Sequence, residues 1–286
     1  MTEPSPLLAG PWPSLATVAC AAALASGCVR RQQTLEDPVA PLLLAADEAW
    51  AERDRVGLEA AEEPLQEAYG LDPHRPEVLW RLVRHQHALG WTEPTDRARL
   101  FAWAEGRSMG LDCLATDPEV DSLRLTRGWV AALAAVDTPA TEPCVAWTAM
   151  VWSRWIALLG AGATAVDLPT VRALADRAAG AEAADRALNG RWSQALLDAT
   201  APRWAGGDPT EALATLEVLV QHHPSELLLQ VDRLRVTGDI LTPPYRAKLL
   251  EELKRATPDT PEERAAIAAL LEAEGAKPGP QGGSPR

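Results

Sequence analysis

Apolar positions in this chain do not alternate with polar ones over any stretch long enough to make a half-buried strand, and β-branched or aromatic runs are missing. Ala and Leu dominate, and apolar residues recur at helical spacing. Proline and capping residues punctuate the pattern: Asp208-Pro209-Thr210-Glu211 and Thr260-Pro261-Glu262-Glu263 each supply an N-cap, a proline at the first helical position and a Glu at the third. Weaker starts precede Pro76, Pro143, Pro169 and Pro243, while Gly70, Gly90 and Gly160 are expected to close the preceding helices. The spacing predicts about a dozen helices joined by short turns. The chain is therefore expected to be all-α.

A second pattern lies over the first. The second helix of a tetratricopeptide unit carries a small residue, a large one four later, a small one three later, and a proline five beyond. Ala61, Leu65, Ala68 and Pro73 fit throughout; Ala212, Leu216, Leu219 and Pro224 fit with one larger residue. Gly106, Gly110, Cys113 and Pro118 fit as small residues ahead of an Asp-Pro turn. Their spacings are not multiples of the usual repeat of about 34 residues. The expectation is a degenerate tetratricopeptide-like helical repeat array, weighed against an ordinary helical domain with chance Asp-Pro turns.

The strongest local cluster is TEPCVAWTAMVWSRWIALLG, residues 141–160. At 100° per residue Trp147, Trp152 and Trp155 share a broad arc with Val151 and Ile156, while Ala146, Ala149, Ser153, Ala157 and Gly160 form a small-residue face. A helix bulky on one side and small on the other packs on both, so this one is expected at the centre of the domain. Arg154 breaks the apolar run and argues against a membrane span. Because a buried indole N–H needs a partner, at least one of these rings is expected to reach a cavity or an oligomer pore.

Charge and cysteines narrow the setting. A formal charge of -13, with no compensating basic cluster, excludes nucleic acid as a natural partner. Leu15 to Ala25 is an apolar run of signal length that leads into Ser26-Gly27-Cys28. This pattern resembles a bacterial lipoprotein signal: residues 1–27 are removed and Cys28 is lipidated, with residues 28–40 as linker, 41–275 as the helical domain and 276–286 as a disordered Gly/Pro-rich tail. The segment ahead of the apolar run departs from the signal pattern in carrying no Lys or Arg. Val29 stands where an Asp would retain a lipoprotein at the inner membrane, so the expected address is the periplasm with an outer-membrane anchor. Cys20 falls within the signal, and Cys113 and Cys144 remain either as a candidate disulfide or as two buried free thiols.

Catalytic chemistry is not suggested by any motif. His85 with His87, and His222 with His223, do not share helical faces and read as exposed residues. Glu62-Glu63, Glu251-Glu252 and Glu262-Glu263 read as solvated faces, and Gly160 to Ala165 only imitates a dinucleotide loop. No metal site, cofactor or enzymatic activity is expected.

The order of these features resembles the TatT component family, periplasmic lipoproteins with degenerate tetratricopeptide repeats associated with TRAP-type transporters. The likeness runs from Cys28 through Leu71-Asp72-Pro73 and Trp80, Ala104 to Arg107, Cys113 to Pro118 and the tryptophans 147 to 155. It continues through Asp167-Leu-Pro-Thr-Val to Gly206-Gly207-Asp208-Pro209 and Ala212, and the chain departs from it after Pro224. Gly206, Gly207 and Asp208 are expected to form a tight turn feeding a helix, with a positive φ at one of the glycines. The resemblance implies a non-enzymatic homotrimer around a central pore, with an extracytoplasmic solute-binding protein as partner in the uptake of a small organic ligand, a hydrophobic one included. A general tetratricopeptide scaffold for envelope assembly is the alternative.

Overall fold

The computed structural model describes residues 37–52, 55–136, 139–160, 166–236 and 240–275. The signal, Cys20, Cys28, most of the linker, the tail and residues 161–165 of the dinucleotide-like loop lie outside them. Among the described residues there are thirteen α-helices and no strand: α1 (Ala40–Glu52), α2 (Arg55–Leu71), α3 (Pro76–Thr92), α4 (Asp96–Leu114), α5 (Pro118–Arg127), α6 (Trp129–Leu133), α7 (Glu142–Leu159), α8 (Leu168–Ala179), α9 (Ala184–Thr200), α10 (Pro209–His222), α11 (Leu227–Val236), α12 (Pro243–Arg255) and α13 (Pro261–Gly275). The fold is an all-α array.

Most helix starts follow from the local sequence. Prolines occupy the first turns of α3, α5, α7, α8, α10 and α12. Asp208 caps α10 by accepting hydrogen bonds from the Thr210 and Glu211 amides at 2.9 and 3.3 Å. At α13 the Glu263 amide donates to Thr260 Oγ1 at 3.3 Å, and the Glu263 carboxylate accepts the Thr260 and Asp259 amides at 3.2 and 3.0 Å. Its other oxygen accepts the Leu227 amide at 3.2 Å, so one side chain caps both α13 and α11. Glu262 and Glu263 are consequently buried, and the solvated face expected for them is corrected; Glu251 and Glu252 are exposed.

The expected turn at 206–208 forms, with a division of labour between its glycines. Gly206 holds φ +83°, and the Arg172 guanidinium of α8 donates to its carbonyl oxygen at 2.9 Å. Gly207 does not hold a positive φ; it is needed because a Cβ there would overlap the Ala201 carbonyl. Gly160 ends α7 with φ +78°, as its position suggests. Gly90, by contrast, sits inside α3, where a side chain would collide with the Trp103 indole of α4.

All nine in-helix positions of the three repeat-like matches are buried: Ala61, Leu65 and Ala68 in α2, Gly106, Gly110 and Cys113 in α4, and Ala212, Leu216 and Leu219 in α10. The matches therefore mark the inward faces of three helices. Helix pairs α1/α2, α3/α4 and α9/α10 pack as antiparallel neighbours, and α7 packs against α3, α4, α8 and α9, which makes it the central helix. Gly106 and Gly110 lie under Val151 and Thr148 of α7, and no room remains for a Cβ at Gly110. Cys113 of α4 and Cys144 of α7 are joined in a disulfide with a Cα separation of 5.9 Å, which excludes the free-thiol alternative. The last helix, α13, returns to pack on α3 as well as on α11 and α12, so the array closes on itself.

Glycine contacts generate a test with opposite signs. A Cβ at Gly190 would overlap the Ala179 backbone of α8, whereas one at Gly70 of α2 meets nothing within 4 Å. Gly70→Ala is expected to raise stability by about 0.5–1 kcal/mol through helix propensity. Gly190→Ala should lower it by about 1–3 kcal/mol because α8 and α9 must separate. Urea unfolding of both variants measures the two signs; equal effects would show that α8 and α9 do not approach so closely.

Candidate functional site

Four tryptophans from four helices, Trp50 of α1, Trp80 of α3, Trp147 of α7 and Trp192 of α9, line one cavity of about 270 Å³. Each stands on an inward face of its helix. Polar groups at the same cavity come from Arg84, His87, Asp185 and Asn189, with Glu226 and Glu262 contributed from the α11 and α13 side. Because α13 lines it as well as α1, the cavity depends on the array being closed.

The cationic wall is fixed from below. Asp47 of α1 takes Arg81 through both carboxylate oxygens, at 2.6–3.1 Å, and Arg84 at 2.8 Å. Partial burial pushes the Asp47 carboxyl up, but the two guanidiniums outweigh it and hold its pKa below the ordinary value. Arg84 lies 4.3 Å from the Trp50 ring centroid and 5.0 Å from that of Trp80, so it is stacked between two indoles. The His87 ring meets Trp147 at 5.6 Å, tilted by 55°.

Trp192 connects this cavity to a buried ion pair. Its Nε1 donates to Asp232 Oδ2 of α11 at 2.7 Å, and the same oxygen is paired with Arg154 Nη1 of α7. Arg154 is 3% and Asp232 2% exposed. The Arg154 guanidinium is held between the rings of Trp91 and Trp192, at 4.6 and 4.8 Å. Burial pulls its pKa below the ordinary arginine value, and Asp232 opposes that shift.

The three tryptophans singled out in the sequence have separate environments. Trp147 is half-buried at the cavity, as expected for one ring of the set. Trp152 is 3% exposed in the core, its Nε1 without a partner among the described residues. Trp155 is half-buried, and the Arg107 guanidinium covers both it and Trp152 at 4.8 and 4.6 Å while pairing with Asp167 at 3.3 Å. Their common arc does not become one common surface. His85 and His87 are buried rather than exposed, whereas His222 is exposed and His223 half-buried.

Sequence reasoning missed Asp47, Arg84, Trp192 and Asp232. The one available signal was Arg154 itself: a guanidinium inside an otherwise buried apolar helix requires a carboxylate from elsewhere. Among the described residues no helix is long and apolar enough to cross a membrane, and no cluster of His, Cys, Asp or Glu is arranged to hold a metal.

Comparison with known protein families gives no matching family model, and comparison with curated proteins gives no match either. The resemblance to TatT components rests on the order of the motifs given above.

Two outcomes follow from these environments. Trp152→Ala is expected to cost about 3–5 kcal/mol, and Trp147→Ala clearly less, because only the first leaves a closed void; thermal melting of the pair measures the difference. His85 is 3% exposed, and burial holds its pKa below 6.5, with Glu62 opposing the shift. A base depressed in the folded state contributes stability that is complete above about pH 6.5 and is lost as the pH falls toward the folded pKa. His85→Gln should flatten the stability profile in that window, which urea unfolding at a series of pH values reads directly.

Proposed function

We propose that this protein is a non-enzymatic, lipid-anchored periplasmic protein that binds a TRAP-type solute-binding protein and assists the uptake of a small organic ligand. Lipidation at Cys28 would supply the anchor, and the order of motifs shared with TatT components supports the transporter association. The Trp-lined cavity inside a closed helical array is compatible with handling an organic ligand, since indole walls offer apolar area at small cost in side-chain entropy.

The observation that carries the partner reading is Trp204. Its residue is 77% exposed, on a short 3₁₀ turn (Arg203–Ala205) placed directly before the Gly206-Gly207-Asp208 turn. That backbone is stiffened at both ends: the Gly207 amide donates to the Pro202 carbonyl oxygen at 3.1 Å, and Arg172 holds the Gly206 carbonyl oxygen. A large aromatic side chain projecting from a rigid turn suits a protein-interface anchor, which gains contact area with little ordering cost.

The test is capture of the TRAP solute-binding protein encoded in the same genome, with affinity measured by calorimetry. Binding by the full chain, weakened about tenfold or more by Trp204→Ala while melting is unchanged, is the expected result. Failure of the wild-type chain to bind any such protein overturns the reading in favour of a general envelope scaffold.

A further inference from the structure

A second cavity, of about 340 Å³, lies against the Arg154–Asp232 pair and is distinct from the chamber of four indoles. Its apolar walls include Trp91, Trp103, Leu158 and Leu196. Three arginines, Arg99, Arg154 and Arg235, also line it, against Asp232 as the one carboxylate of the lining. In a chain with a formal charge of -13 this is a local excess of positive charge inside a concave, partly apolar site.

Hydrogen-bond accounting sharpens the picture. Arg99 donates to the Glu93 carbonyl oxygen at 2.9 Å and to Asp96 at 3.3 Å, and Arg235 donates to the Ala266 carbonyl oxygen at 3.2 Å. Arg154 spends Nη1 on Asp232, but its Nε and Nη2 are buried and make no hydrogen bond among the described residues. In a guanidinium these two nitrogens share one edge and present two parallel N–H groups, the arrangement that matches both oxygens of a carboxylate. Trp91 Nε1 is a third buried donor without a partner in the same lining. Three unmet donors with no unmet acceptor beside them define the missing group: it accepts hydrogen bonds and carries negative charge.

We infer that this cavity binds a small organic carboxylate, its two oxygens on the Nε/Nη2 edge of Arg154 and its apolar body against Trp91, Trp103 and Leu196. The stacking of Arg154 between Trp91 and Trp192 fixes the guanidinium plane before the ligand arrives, so little side-chain ordering is left to oppose binding. Asp232 holds the opposite side of the guanidinium and leaves the free edge to the ligand. A volume of about 340 Å³ is at the small end of the range for ligand sites, which selects compact acids. The inference rests on Arg154 and its surroundings rather than on the partner reading. Carboxylate binding without capture of a solute-binding protein would sink that reading alone, and the reverse result would sink only this one.

The experiment is titration of the full chain with benzoate and hexanoate, with benzamide, hexanamide and inorganic phosphate as comparison probes, followed by calorimetry and ligand-observed NMR. One or both acids should bind, and the matching amides and phosphate should bind about tenfold more weakly or not at all. Arg154→Lys should weaken acid binding about tenfold, since an ammonium cannot offer the parallel donor pair. Because that variant disturbs a buried ion pair and can fail to fold, Ala157→Phe, which fills the cavity without touching the pair, should abolish binding while thermal melting stays close to wild type. Equal binding of acid and amide would reduce the site to an apolar cavity and overturn the inference. No binding of either acid, or full binding retained in Ala157→Phe, would overturn it as well.

Discussion

A guanidinium buried at the middle of the molecule constrains the rest of the structure. Arg154 is nearly sealed from water, and desolvating a charge of that kind is affordable only with a carboxylate in contact. Asp232 supplies it from α11, and Trp91 of α3 and Trp192 of α9 close over the two faces of the guanidinium. Four helices far apart in sequence are thereby committed to one point. Both cavities border this assembly, through Trp192 on one side and through Arg154 and Trp91 on the other. Replacing Asp232 with an apolar residue would leave a buried charge unmatched, so α7 and α11 keep their registration or the core opens.

Close approach around α7 makes that commitment possible. Gly106 and Gly110 let α4 sit against Val151 and Thr148, and Gly190 brings α9 onto the backbone of α8. The Cys113–Cys144 bond then ties the end of α4 to the beginning of α7 covalently. Small residues thus set the helix spacing, and the large indoles fill what the spacing leaves. This explains why Trp147, Trp152 and Trp155, on one helix, reach a cavity, a core and a cation-covered margin respectively.

Local features were legible in the sequence because their physics is local. Pro at the first turn, Asp208 and Thr260 as caps and Gly206 at a positive φ each act within a few residues, and each appears where the spacing places it. The repeat-like small residues were readable for a similar reason, since the pattern reports one helix face. What could not be read was the identity of distant partners. Glu263 looked like a surface carboxylate until it was seen to cap two helices, and His85 looked exposed because its helix is covered from outside its own sequence window. Gly90 illustrates the ambiguity well: the same residue type that ends a helix also admits a neighbouring indole, and only the fold tells which.

The return of α13 to α3 has a further consequence. An open solenoid lengthens or shortens by whole units, because each unit touches only its neighbours and the ends are free. Here the last element is also a neighbour of an early one, so inserting or deleting a helical pair would break the seam and both cavities with it. Variation in such a lineage is confined to substitutions and to the connecting turns. A closed array of this kind gives up growth by duplication, and it keeps an interior of fixed size.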